Sequence, residues 1–232
     1  MKRDTRWEEA QQCEVEFWDG MARLDHGVLR VLADNAEKAE LLKQHLTHVP
    51  RVALEVGTGP FGLGLIGFLP DIPFRIASDP LPPSPMDHYD LLRRYVHERR
   101  SVMQYAVLWG EEIPMQNDSL DLVICCNVID HASNPDLILE EIHRVLKPGG
   151  LLFMDVHTFS VAGLAKWHAF TKFRHKDEML VIAHPYRMFE TRIRYKLKAH
   201  GFRVKKVTGH TFLSTLIGHF RISSFLGVKG PR

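Results

Sequence analysis

The sequence contains little cysteine and lacks any long apolar segment. Only three cysteines occur in 232 residues, and two of them, Cys125 and Cys126, are adjacent within an apolar run. Such sparse cysteine excludes a disulfide framework, and we expect a reducing, cytoplasmic setting. No apolar stretch approaches the roughly 20 residues of a membrane-spanning helix. The polar, charged residues 1–10 are not expected to form a signal peptide.

Negative charge is scarce in the C-terminal third. Residues 157–232 contain 15 lysines and arginines against three acidic residues, although the formal net charge of the whole chain is only +2. This asymmetry indicates either an anionic partner or solvated charge that balances the acidic remainder of the fold. The second interpretation is favoured, with a phosphate- or carboxylate-bearing partner as the alternative. Nucleic acid is not expected, because the segment lacks an arginine–aromatic repeat or a known RNA-binding module.

The N-terminal segment is poor in glycine and has no proline before residue 50. Residues 1–48 contain only Gly20 and Gly27, and their apolar residues recur at helical spacing. This pattern predicts two helices that pack beside a sheet or form a lid over a ligand. We therefore divide the chain into a helical segment, 1–48, and a main domain, 49–232.

In the main domain, short apolar segments alternate with amphipathic ones. This alternation predicts an α/β fold in which helices cover both faces of a mostly parallel sheet. The predicted strands are residues 51–56, 74–78, 102–108, 120–126, 151–156, 202–207 and 211–217. The predicted helices are residues 62–69, 87–98, 135–147 and 186–200. Ser133 or Asn134 is expected to cap the third of these helices, whereas residues 158–183 have no clear pattern.

One glycine-rich segment carries most of the functional information. Gly57, Gly59 and Gly62 are spaced G-x-G-x-x-G directly after an apolar strand, and Glu55 stands two residues before the first of them. A turn of this kind is expected to present bare backbone N–H groups to a ligand. Because a carboxylate here would repel a pyrophosphate, the pattern favours a cofactor with a cationic ammonium, such as S-adenosylmethionine (SAM).

Several motifs in order resemble the class I SAM-dependent methyltransferases, of the group called methyltransferase type 11. The resemblance spans residues 52–154 and rests on residues 54–59, Asp79, and segments 111–115, 119–123 and 144–150. It implies a Rossmann-like, seven-stranded sheet and SAM as the cofactor. It departs from the family pattern at Trp109, where many relatives carry an aspartate that binds the adenine amine.

The resemblance also implies roles for individual residues. Glu55 is expected to hold the ammonium of SAM, Asp79 to accept hydrogen bonds from the ribose hydroxyls, and Asn127 to offer its carbonyl oxygen. The implied cofactor-binding residues are Glu55, Gly57, Thr58, Gly59, Asp79, Pro80, Trp109, Gly110, Glu111 and Asn127.

A candidate catalytic group follows the fourth predicted strand. His131 is expected to act as a general base, with Asp155 or Asp130 orienting it, because an imidazole is suited to removing a proton from a hydroxyl acceptor. Some sugar and natural-product O-methyltransferases show a similar arrangement. The acceptor is expected near Trp18, His157, His184 and Tyr186, with residues 157–185 as an insertion beside it. The same acids and histidines have metal-ligand chemistry, but no metal is expected from their spacing.

The sequence leaves the acceptor open. We expect a small-molecule or glycan hydroxyl, with a saccharide favoured and an anionic group allowed by the basic C-terminal third. The alternatives are a nitrogen or carbon acceptor, an RNA or carrier-bound substrate, and a SAM-binding protein without catalysis. A dinucleotide oxidoreductase is the weakest alternative, because of the position of Glu55.

Overall fold

The structure is a computed structural model that describes residues 5–22, 24–82, 103–173, 186, 188–209, 211 and 220–231. Two helices, α1 and α2, precede the sheet. Their bounds and those of the later helices are α1 Thr5–Ala22, α2 Asp25–Lys43, α3 Pro135–Val145, α4 Val161–Phe173 and α5 Glu190–Ala199. The two N-terminal helices are where the glycine-poor segment predicts them. Among the described residues, no helix is both long and apolar enough to cross a bilayer.

Seven strands form a single sheet. Their bounds are β1 Val52–Val56, β2 Phe74–Asp79, β3 Gln104–Val107, β4 Leu120–Cys126, β5 Leu146–Phe159, β6 Phe202–Lys206 and β7 Phe220–Lys229. The strand order is β3-β2-β1-β4-β5-β7-β6. The first five strands are parallel, whereas β7 is antiparallel to both β5 and β6. This is the predicted Rossmann-like sheet, and its strand order reverses between β1 and β4.

Both faces of the sheet are buried, as the continuous apolar strands predict. Successive side chains of a strand point to opposite faces, so Leu54 and Val56 join one apolar cluster while Ala53 joins the other. Helices α3 and α5 cover the first face, and α2 covers the second. Glu55 therefore lies on the same face as Ala53, beneath α2.

Helix α3 begins as its sequence predicts. The side chain of Asn134 accepts hydrogen bonds from the N–H groups of Asp136 and Leu137, and Pro135 occupies the first turn. The helix ends at Val145, before the predicted stop at Pro148, because Leu146 already pairs with Leu120 as the start of β5.

Two other predicted elements differ in the structure. The helix predicted at residues 62–69 is reduced to a 3₁₀ turn, Leu65–Phe68, because three glycines in eight residues disfavour a helix. The final described strand is β7, Phe220–Lys229, which the sequence patterns did not predict; the strand predicted at residues 211–217 lies, apart from Thr211, outside the described residues. The predicted helix at residues 87–98 lies outside the described residues.

Candidate active site

The carboxyl ends of the parallel strands surround a cleft of about 260 Å³. It opens at the point where strand order reverses, which is the usual ligand site in such sheets. All ten residues expected to bind the cofactor line it: Glu55, Gly57, Thr58, Gly59, Asp79, Pro80, Trp109, Gly110, Glu111 and Asn127. Their roles stay predictions, but the fold brings them together as the strand ends require.

The glycine turn after β1 differs from its expected chemistry. Gly57 and Gly59 have positive φ angles of 80° and 71°, which suit glycine. The N–H groups of Gly57 and Thr58 donate to the carbonyl oxygen of Ser78 at 2.8 and 2.9 Å. The N–H group of Gly59 donates to Asp79 Oδ2 at 2.7 Å. These three N–H groups are thus engaged within the protein and are not the bare donors that a phosphate needs.

The carboxylate of Glu55 is also engaged within the protein. Its oxygens accept hydrogen bonds from the N–H groups of Leu65 and Ile66, at 3.1 and 2.6 Å, where the 3₁₀ turn begins. Burial raises the pKa of Glu55 to about 7, although the two N–H groups and the nearby Lys38 lower it. A ligand ammonium could contact only the remaining lone pairs of the Glu55 oxygens. Glu55 therefore stabilises the start of the 3₁₀ turn, in addition to the ligand contact expected of it. The pleat explains this, because it turns Glu55 towards α2.

Asp79 ends β2 with its carboxylate held in place. Oδ2 accepts the Gly59 N–H, and Oδ1 accepts the N–H of Leu81 at 2.9 Å. Burial raises the pKa of Asp79 to about 6, and the two N–H groups partly counteract this rise. Each oxygen keeps a lone pair, so the group can still accept hydrogen bonds from hydroxyls in the cleft.

The segment after β3 contributes backbone more than side chains. Trp109 and Glu112 form an isolated β-bridge around Gly110. A side chain at Gly110 would press on Ile138 and Val56 at 3.1 Å, so glycine permits a close approach here. Glu111 was expected to contact the cofactor, but its Oε1 accepts hydrogen bonds from the N–H groups of Ser133 and Asn134, ahead of α3.

His131 lies in the loop after β4 among polar groups. Glu14 Oε1 of α1 lies 3.0 Å from Nδ1, and Asp130 Oδ1 lies 3.9 Å from Nε2. The side-chain nitrogen of Asn127 lies 3.3 Å from Nε2. A carboxylate beside Nδ1 favours a proton there, which leaves the Nε2 lone pair as the basic site. Asn127 itself has a φ of 55°, a left-handed conformation that asparagine tolerates better than most residues.

Asp155 was expected to orient His131, but it pairs with another residue. Its Oδ2 lies 2.6 Å from the ammonium of Lys38 on α2. The reason is again the pleat of β5, which places Asp155 on the same sheet face as Phe153, beneath α2. Asp130, the other predicted partner, is buried between the two histidines, with Oδ2 at 3.8 Å from His157 Nδ1.

The N-terminal helices supply cleft residues that the sequence motifs did not indicate. Gln11 and Glu14 lie on one face of α1, beside the predicted Trp18, whereas Asp34, Asn35 and Lys38 lie on one face of α2. A polar stripe at helical spacing, on a helix that also packs on a sheet, is the signal that would have found them. Their place in the cleft follows from the packing of α1 and α2 over the strand ends, which the sequence does not show.

The predicted acceptor residues divide into three groups. Trp18 and His157 line the cleft, and the Trp18 ring covers Gly59 closely enough that a side chain there would lie 2.6 Å from it. Tyr186 instead holds the loop of His131, since its hydroxyl donates to the carbonyl oxygen of Ser133 at 3.0 Å. His184 lies outside the described residues.

The cleft fits a nucleoside with a cationic tail better than a dinucleotide. Its described charged lining comprises five carboxylates and one ammonium, Lys38, apart from the histidines. The N–H groups at the start of the 3₁₀ turn, where a pyrophosphate would bind, are satisfied by Glu55. Within the described residues, no group of three histidine, cysteine or acidic side chains is placed to hold a metal ion.

Two comparisons of sequence agree with this chemistry. Residues 87–154 match a family model described as a methyltransferase domain. The chain is 39% identical over 61 residues to the thiol S-methyltransferase TMT1B of Rattus norvegicus, which covers 26% of this chain and 25% of the relative. It is 27% identical over 129 residues to a tRNA U34 carboxymethyltransferase of Campylobacter curvus, covering 54% and 41%. The chain thus spans less than half the length of either relative.

A solved structure extends the likeness to the whole fold. The YcgJ protein of Bacillus subtilis superposes with a TM-score of 0.62 at 14% identity, over 88% of this chain and 99% of that one. At 14% identity this likeness supports the fold alone, and the methyltransferase pattern lies in residues 87–154. Together, the matched segment and the fold support a class I SAM-dependent methyltransferase.

Proposed function

We propose that the protein transfers a methyl group from SAM to a hydroxyl group of a small-molecule acceptor. The observation that carries this proposal is the acid-lined cleft above a glycine turn whose N–H groups at residues 57, 58 and 59 are already bonded. Such a cleft suits a positively charged sulfonium and ammonium, and it repels a pyrophosphate. When bound, SAM supplies an activated methyl group, so the protein needs chiefly to align the reactants and exclude water.

Particular residues would hold the cofactor. The fixed carboxylate of Asp79 would accept hydrogen bonds from its ribose hydroxyls, and the backbone at Gly110 would lie against its adenine. Trp109 lacks an acceptor for the adenine amine, so stacking and main-chain contacts would replace that bond. The backbone of the turn at Gly57 and Gly59 would lie beside the methionine part of SAM.

His131 would then accept the proton of the acceptor hydroxyl. Its Nδ1 faces Glu14 at 3.0 Å, so Nε2 is the atom that takes the proton. The side-chain amide of Asn127 donates to Nε2 at 3.3 Å, and the acceptor hydroxyl would take its place as the donor to Nε2. Asp130 replaces Asp155 as the nearer of the two predicted carboxylates in this proposal.

The cleft limits the charge of the acceptor but not its chemical class. The relatives carry thiol and tRNA in their names, so they do not favour one acceptor atom. The excess of carboxylates in the cleft disfavours an anionic group close to the methyl-transfer site, contrary to the alternative that the basic C-terminal third suggested. A saccharide acceptor, a role in glycan or natural-product biosynthesis, and a cytoplasmic location are parts of the proposal that rest on the sequence alone.

The N-terminal helices are proposed to act as a lid. Trp18 contacts the glycine turn, and Glu14 and Lys38 reach residues after β4 and at the end of β5. These contacts would shield the reacting groups from water while the cofactor is bound. Residues 157–185 remain proposed as the insertion beside the acceptor, with α4 as the described part.

The experiment is a transfer assay with SAM labelled on its methyl group and a panel of hydroxylated small molecules. We expect labelled product from at least one acceptor. The His131→Ala variant should lose most of this turnover, about 10²-fold or more for a lost general base, while it binds SAM as the wild type does. Lys43→Met, a change on the exposed side of α2, is the matched control.

Two outcomes would contradict the proposal in different ways. Turnover that survives the loss of His131 would indicate a nitrogen or carbon acceptor that needs no base. Tight binding of SAM without turnover on hydroxyl, amine, thiol, RNA and carrier-bound acceptors would indicate a SAM-binding protein without catalysis.

A further inference from the structure

We propose that Lys38 binds the carboxylate of the cofactor's amino-acid tail, and that the Lys38–Asp155 ion pair forms the subsite for this zwitterionic end. The proposal rests on the function proposed above and adds a residue that the methyltransferase motifs do not contain. It concerns a side chain of α2, outside the segment that carries the family pattern.

Lys38 is the one lysine among the described residues that line the cleft. Its ammonium lies 2.6 Å from Asp155 Oδ2, where the Asp155 side chain is 1% exposed. The Lys38 side chain keeps 23% of its surface exposed and belongs to the cleft lining. The side chain is thus partly open to the cleft, and Asp155 holds its ammonium. Since it has three N–H donors, the contact with Asp155 leaves capacity for a second anion.

Two acidic side chains, Asp155 and Glu55, act electrostatically on Lys38. Together they raise the pKa of Lys38 despite the opposing effect of burial. Lys38 is therefore charged at any physiological pH. Lys38 balances the charge of Asp155, and the partly ionised Glu55 adds negative charge that a ligand ammonium would offset.

An amino-acid tail has the complementary charges. It carries a carboxylate and an ammonium on one carbon atom, so its two charges are as close together as those of Lys38 and Asp155. Lys38 would attract the tail carboxylate, and the two acids would attract the tail ammonium. Apart from Lys38, the described charged lining of the cleft consists of acids and histidines. A tail carboxylate therefore has one permanently cationic side chain to meet among the described lining residues.

The energetic cost of the ion pair supports a binding role. Burying two charges seldom stabilises a fold more than apolar packing of the same volume would. A buried pair of which one member, Lys38, lines the cleft is better explained by a charged ligand. The competing explanation is a latch that merely fastens α2 to β5.

The two explanations predict different affinities for ligands with and without an amino-acid tail. Calorimetric titration of the full chain would use S-adenosylhomocysteine and 5′-methylthioadenosine, which share the nucleoside and the sulfur but differ in the amino-acid tail. In the wild type, we expect S-adenosylhomocysteine to bind at least tenfold more tightly than 5′-methylthioadenosine. Lys38→Met should weaken S-adenosylhomocysteine by about tenfold to a hundredfold, the range for a lost charged hydrogen bond, and leave 5′-methylthioadenosine unchanged.

Lys43→Met is the matched control, because Lys43 lies on the same helix and pairs with Glu40 at the surface. It should change neither affinity. Lys38→Met leaves the buried Asp155 unpaired, so the double variant Lys38→Met with Asp155→Asn provides a second test without a buried uncompensated charge. It should fold and still fail to distinguish the two ligands.

Each result decides the proposal. Equal weakening of both ligands by Lys38→Met, or unchanged preference for the ligand with the tail, would overturn the tail subsite and favour the latch. A wild type that binds neither adenosine compound would overturn the proposed function itself. A wild type that binds both equally would retain the nucleoside site and refute the role of Lys38.

Discussion

At the scale of single residues, Asp79 should control the pH dependence of cofactor binding. Burial raises its pKa to about 6, so it is ionised above that pH and protonated below it. A protonated carboxyl is a poor acceptor for two hydroxyls. The affinity for SAM should therefore fall as the pH is lowered from 7 to 5.

The substitution Asp79→Asn should weaken SAM binding at pH 7.5 by about tenfold or more and should flatten the pH dependence. Glu55, with a pKa of about 7, titrates in both proteins, so the difference between them isolates Asp79. Asp71→Asn, on the exposed turn before β2, is the control for a lost carboxylate. Equal affinity and equal pH dependence in the wild type and Asp79→Asn would refute the role of Asp79.

Residue positions were predictable where they depend on strand ends. The positions of Asp79, Asn127 and the glycine turn follow from a parallel sheet, and the structure places all of them in the cleft. The directions of Glu55 and Asp155 follow from strand alternation. The partner of Asp155 was not predictable, because Lys38 is distant in sequence and has no motif around it.

At the scale of elements, β7 holds the end of α3 through one buried lysine. Lys229 donates to the carbonyl oxygens of His143 and Leu146, at 2.6 and 2.7 Å, and to Asp118 Oδ1 at 2.7 Å. It is only 7% exposed. The lysine thus caps the carbonyl end of the helix and the beginning of β5.

Lys229→Met should lower the free energy of unfolding by about 3 kcal/mol, because it leaves Asp118 and the carbonyl groups without their cation. Thermal and denaturant unfolding would measure this loss. Lys205→Met, on the exposed side of β6, should change the stability little. A Lys229→Met protein as stable as the Lys205→Met control would show that the cap contributes nothing.

Elements were predictable where apolar periodicity was strong. Helix α3 and strands β1, β2 and β4 match their patterns closely. Strand β7 was missed because its buried centre contains Ser223 and Ser224, which interrupt an apolar pattern. Their hydroxyls are satisfied by Thr158 and Thr208 across the sheet, at 2.6 and 2.9 Å, and such pairing is not visible in one strand's sequence.

At the scale of the whole molecule, the N-terminal helices complete a cleft that the sheet alone leaves open. Their existence was predictable from helical periodicity. Their contacts with the strand ends were not, because these depend on how α1 and α2 pack over the sheet. That packing brings Glu14 to His131 and Lys38 to Asp155, and it makes the cleft predominantly acidic.

The central claim is that this acidic cleft, with no spare N–H group at residues 57, 58 and 59, selects a cationic amino-acid tail over a pyrophosphate. Calorimetric titration of the full chain with SAM and, separately, with NAD tests it most directly. We expect one SAM bound per chain and no detectable heat from NAD. Saturable binding of NAD, with SAM unable to displace it, would show instead that the cleft is a dinucleotide site.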